Sequence, residues 1–139
     1  MPSQTEESKA LLRRITDEIW NRGRLDLIDE LISDDLVDHI EESGLEGTGP
    51  ERYRASVTAL RTAFPDYREE IIWLVGEGDR AVSFIRATGT HEGPLRGLGP
   101  TGRKVEFNAI GALRFASGRA IERWGFGDST GIQQQLGLA

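Results

Sequence analysis

Apolar residues recur at helical spacing in the first half of the chain and alternate with polar ones in the second. In "SQTEESKALLRRITDEIWNRG" the residues Leu12, Ile15, Ile19 and Trp20 fall on one stripe. Ser3 and Glu6 stand at capping-box spacing ahead of it, and Gly23 marks a stop. The spacing predicts an amphipathic helix. "LDLIDELI" repeats the pattern briefly, and the β-branched "DLVDHI" after it reads as a short strand. Beyond the polar loop "EESGLEGTG", Pro50 suits a first helical position, and Tyr53, Val57, Leu60 and Phe64 recur at helical spacing until Pro65. From Tyr67 the period changes. "YREEIIWLV", "RAVSFIRATGTH", "KVEFNAIGALRF" and "AIERWGFG" are β-branched and aromatic runs separated by glycine-rich turns, and they predict four antiparallel strands. Helices first and strands last imply an α+β fold, with helices packed on one face of a sheet.

Composition narrows the function classes. A chain of 139 residues, 37% apolar, suits one domain spanning 1–139. Seventeen Lys and Arg against 23 Asp and Glu leave a net charge of −6, which repels a phosphate backbone and argues against nucleic acid as a partner. Without cysteine there is no disulfide, thiolate nucleophile or thiolate-bound metal. The polar start "MPSQTEESKALLRR" has no apolar core of a signal peptide. No window approaches the roughly 18 consecutive apolar residues of a membrane span. The expectation is a soluble, cytoplasmic protein that does not use a membrane.

Few residues carry candidate chemistry. "GPLRGLGPTGRK" resembles a phosphate loop only superficially: its Lys104 comes one place late, and a strand follows where a helix should. It reads as a long strand connection over a cavity mouth. His39 and His91 lie far apart in sequence and would have to converge with a carboxylate to hold a metal, so no metal site is expected. Each can serve as a structural or rim group, or move a proton near neutral pH. His39 follows Asp38 directly, and adjacent strand residues point to opposite faces, so only one of the two can face the core. In "KVEFNAIGALRF" the odd positions share the expected core face, from which Gly111 removes a side chain; Gly125 and Gly127 do the same in the next strand. Either these glycines align and leave a hollow walled by Trp20, Tyr53, Phe107 and an aromatic from Trp124 or Phe126, or they form β-bulges. Asp128, just before "STGIQQQLG", suits a helix cap, and helix amides would keep it ionised. Arg86 interrupts an apolar strand, where it can orient an anionic substrate or lie on the solvent face.

"FPDY", "GEGDRAV", "GTHEGPLRGLGPTGRKVEF", "LRFASGRAIERW" and "DSTGIQQQLG" resemble, in order and spacing, the SnoaL-like polyketide and ester cyclases of the nuclear-transport-factor-like (NTF2-like) superfamily. The resemblance implies a curved antiparallel sheet wrapped around a helix-lined cone with an apolar cavity. It also implies chemistry without a cofactor and a homodimer formed through the sheet. Aldol cyclases of the anthracycline type carry a catalytic histidine and aspartate on the last two long strands, where this chain has Gly111 and Gly125. His91, Trp124 and Asp128 match the family pattern, and His39 matches a histidine of many relatives. The reading is a cofactor-independent cyclase or isomerase acting on a hydrophobic, polyketide-like small molecule. In it His39 is the general acid/base, Asp128 a second carboxylate, His91 a rim donor, Arg86 a substrate contact, and Trp20, Tyr53, Phe107 and Trp124 the walls. A non-catalytic carrier, or an epoxide hydrolase using Asp128 and Arg86, stands as the alternative.

Overall fold

The capping box forms. Ser3 Oγ accepts from Glu6 N at 3.1 Å and opens helix α1, Gln4–Arg14. The computed structural model describes residues 2–40, 45, 47–95 and 97–137. After Arg14 the helix widens into π-type turns over Ile15–Asn21, which turn Ile15, Thr16, Ile19 and Trp20 inward together. "LDLIDELI" is less helical than expected. It makes a tight turn at Leu25–Leu27 and one short helix, α2 (Ile28–Leu31), before strand β1 starts at Ile32 and runs to Asp38. Helix α3, Gly49–Ala63, carries Pro50 in its first turn, where a missing N–H costs nothing, and buries Tyr53 and Val57.

Strands β2 (Arg68–Glu77), β3 (Arg80–Thr90), β4 (Lys104–Ala116) and β5 (Arg119–Gly127) follow, and helix α4 (Ser129–Gln135) closes the described chain. The sheet order is β1-β5-β4-β3-β2. The four long strands are antiparallel, as the turn spacing predicts. β1 joins the edge parallel to β5, with Asp38 opposite Arg123. This pairing between distant segments has no local signal in the sequence.

The pleat assigns the faces. Ala81, Ser83, Ile85 and Ala87 of β3, with Val105, Leu113 and Phe115 of β4, are buried on the face covered by the helices. Gly111 lies opposite Gly125 across β4 and β5, and Ala109 opposite Gly127. The irregularity in that pairing falls between Arg114 and Phe115, away from these glycines, so they are not bulges. A Cβ on Gly111 would find nothing closer than Ser83 Oγ at 3.9 Å. Gly111 hollows the inner face, while the place of a Gly125 side chain is taken by Ile40, whose Cδ1 lies 2.8 Å from where a Cβ would stand.

The other face of the sheet is unexpectedly apolar. Trp73, Phe84, Ile110 and Phe126 stand in one row across four strands, and Val75, Val82, Ala112 and Trp124 in the next. Among the described residues no helix is long and apolar enough to cross a membrane.

Candidate active site

Between the hollowed sheet, α1 with its π-type extension, α3 and α4 lies a cavity of about 1010 Å³. Consecutive residues Ala109 to Leu113 of β4 and Arg123 to Gly127 of β5 all border it. A pleated strand presents consecutive residues to one side only where the backbone itself is the wall, which is what Gly111, Gly125 and Gly127 produce. Trp20, Tyr53, Phe107, Phe64 and Ile85 supply side-chain walls, and Pro94, Leu95 and Leu98 approach from the long β3–β4 connection.

Among the described residues one charged cluster faces this apolar space. The inward pleat of β5 buries Arg123, whose Nη1 lies 3.1 Å from Asp38 Oδ2; the two side chains are 12% and 5% exposed. The Arg123 guanidinium sits 5.4 Å from the Trp20 ring centroid and 4.9 Å from that of Tyr53. Trp20 Nε1 donates to Tyr53 Oη at 2.7 Å, and burial pushes the Tyr53 phenol up to about 12. On β2, Glu69 lies opposite the fully buried Ala87, so it too points inward and borders the cavity. Tyr67 Oη donates to Glu69 Oε1 at 2.6 Å. Loss of hydration raises the Glu69 carboxyl from 4.5 to about 7, against the opposing pull of the Tyr67 hydrogen bond and the Arg123 charge. Burial, with the charge of Glu69, raises Tyr67 as well. Asn21 fixes the backbone here: its Oδ1 accepts from Glu69 N at 2.7 Å and its Nδ2 donates to Glu69 O at 3.0 Å.

Of the residues singled out by sequence, Trp20, Tyr53 and Phe107 meet at the cavity. The polar ones do not. Asp38 takes the inward place of the adjacent pair and His39 the outward one, where its Nε2 donates to Glu122 Oε2 at 2.7 Å and its ring stacks on Trp124 at 5.2 Å. Hydrogen bonds from His39 and Arg114 hold the Glu122 carboxyl below its usual range. Trp124 borders the cavity through its strand, but its ring belongs to this outer stack, beneath the Arg80 guanidinium. His91 is completely buried against Phe64, away from the cavity lining. Its Nδ1 accepts from Thr101 N at 3.2 Å, fixing the β3–β4 connection, and its Nε2 has no partner among the described residues. Asp128 is exposed and caps α4, accepting from Gly131 N at 2.8 Å. Arg86 lies on the outer face, 3.2 Å from Glu106 and half exposed, which takes it out of the cavity and ends the epoxide-hydrolase reading built on it.

Sequence reading missed Glu69, Tyr67, Arg123 and Asp38. The alternation Tyr67, Glu69, Ile71 is a usable signal for the first two, because Tyr67 is buried just ahead of β2 and Glu69 and Ile71 share the inner face of that strand.

Comparison with known proteins is consistent across the whole chain. The family model described as SnoaL-like polyketide cyclase matches residues 10–136. Aklanonic acid methyl ester cyclase DnrD of Streptomyces peucetius is 31% identical over 137 residues, covering 91% of this chain and 88% of its own. Nogalonic acid methyl ester cyclase of Streptomyces nogalater is 28% identical, covering 85% of this chain and 89% of its own. A SnoaL-like structure from Jannaschia sp. CCS1 shares the fold, with a TM-score of 0.88 at 24% identity over 100% of this chain and 97% of that one.

Proposed function

The chain belongs to the SnoaL-like polyketide cyclase family, and on that premise we propose that it closes a ring within a hydrophobic polyketide ester held in the cavity, without a cofactor. The observation that carries this reading is the backbone-floored cavity with the charged cluster that faces it. A flat apolar wall holds a multi-ring ester folded on itself, and holding two reacting carbons together supplies several kcal/mol of the barrier. The chemistry is economical. The carbon between an ester and a ketone carbonyl loses its proton and bonds to a second ketone carbon of the same molecule, whose oxygen then takes up a proton. The reaction is redox-neutral overall and no atom leaves, so no redox group is called for. Tyr53 Oη accepts from Trp20, which leaves its own proton free for a substrate oxygen, and a phenol raised to about 12 stays protonated at neutral pH.

The methyl esters of aklanonic and nogalonic acid, the compounds named for two relatives, are the test substrates, used with protein dialysed against a chelator. The expected product has the mass of the ester and one additional ring by NMR. An ester that raises the unfolding temperature yet returns unchanged sinks the enzyme and leaves a carrier.

We further propose that a second copy of the chain covers the outer face of the sheet. Trp73, Val75, Ile110 and Phe126 are 46%, 53%, 42% and 81% exposed there, an apolar patch unusual for a surface left in water. Sedimentation at micromolar concentration should give twice the chain mass, and Phe126→Arg should give the chain mass. A monomeric parent protein would refute the pairing.

A further inference from the structure

Where the resemblance implies a catalytic histidine and aspartate this chain has Gly111 and Gly125, and neither histidine borders the cavity. Some other group must take the proton from carbon if the ring closes as proposed. Glu69 is the one carboxylate among the described residues that line the cavity. Its Oε1 is held by Tyr67, and no described side chain donates to Oε2, which leaves that oxygen free to meet a substrate. Asn21 pins its backbone from both sides. A hydrophilic residue on the inner face of a strand, fixed in orientation and aimed into an apolar space, has no structural need to be charged.

We propose that Glu69 is the base that removes the carbon-bound proton, with Tyr67 as the residue that positions it. This rests on the ring-closure reading for its substrate class, a β-keto ester. The Glu69 carboxylate takes the proton, and the electron pair of the C–H bond becomes the enolate, then the new C–C bond. The π pair of the attacked ketone moves to oxygen, and the Glu69 carboxylic acid returns the proton there. The carboxylate ends as it began. A carboxyl raised to about 7 serves both steps near neutral pH, being present in both forms. The charged and titratable groups facing it are Tyr67 beside it, Tyr53 from α3, and Arg123 of β5 with its partner Asp38.

The test separates proton removal from ring closure. The probe is the methyl ester of an α-methylated naphthoylacetic acid, which has one exchangeable carbon-bound proton and no second ketone to attack. In D₂O the parent protein should accelerate deuterium exchange, Glu69→Gln should lose about 10²- to 10⁴-fold of that rate, and Glu69→Asp should restore part of it. Tyr67→Phe removes a hydrogen bond to the ionised form, so it should move the alkaline rise of the rate to higher pH. The fold of Glu69→Gln is checked by its stability profile. Because the folded carboxyl binds its proton more tightly than the unfolded one, the parent should lose stability relative to Glu69→Gln as pH rises from 4.5 through about 7. Exchange at the parent rate in Glu69→Gln, or no acceleration by the parent, overturns the assignment. Exchange without any cyclised product from the natural esters would instead overturn ring closure and leave Glu69 standing as the base.

Discussion

Asp38→Ala is expected to lower the free energy of unfolding by about 3–5 kcal/mol, because it leaves a buried guanidinium without its counter-charge. The pair lies 3.1 Å apart with both side chains nearly excluded from water. Arg123 cannot turn back to solvent without leaving the Trp20 and Tyr53 rings against which it is packed. A loss of this size is a large fraction of the roughly 5–15 kcal/mol that stabilises a small domain. The cost lies in stranding one charge, not in the attraction itself, and a double variant exposes the difference. Asp38→Leu with Arg123→Met removes both charges and should regain most of the stability, as buried pairs replaced by apolar residues generally do. Urea unfolding of the three proteins gives the answer: a fall below about 1 kcal/mol in Asp38→Ala would mean that water reaches Arg123.

The helices and long strands were legible because each has one periodicity, and their boundaries in the structure follow the capping Ser3, Pro50 and the glycine turns. The cavity was legible for the same reason, since glycine in the middle of a core face subtracts volume wherever the fold closes around it. Three physical circumstances hid the polar cluster. The outer face of the sheet is apolar, so the pattern Trp124, Phe126 mimics a buried face, while the true inner face reads Arg123, Gly125, Gly127. A bulge between Ile71 and Trp73 reverses the parity of β2, so Trp73 points out although Glu69 and Ile71 point in. The parallel pairing of β1 with β5, which decides that Asp38 and not His39 faces inward, joins segments 85 residues apart, Asp38 and Arg123. Local patterns do not encode such a contact.

Gly111→Leu is expected to remove catalysis while sparing the fold. Its Cβ enters open space, Ser83 Oγ being the nearest atom at 3.9 Å, and the backbone there is ordinary strand, so no strain accompanies the substitution. A branched side chain in a strand interior also has a higher β propensity than glycine, so the unfolding temperature should stay or rise. The new side chain occupies the floor of the cavity, lifting a substrate away from Tyr53 and Glu69. A displacement of about 1 Å from reactive geometry already costs on the order of 10²-fold in rate, so kcat/KM for ring closure should fall by at least that much. The neighbouring glycine provides the contrast. A Cβ at Gly125 meets Ile40 Cδ1 at 2.8 Å, so Gly125→Leu must displace Ile40 and should lower stability together with activity. If Gly111→Leu turns over at the parent rate, the substrate does not lie on the glycine floor, and the hollow is a feature of packing with no part in the reaction.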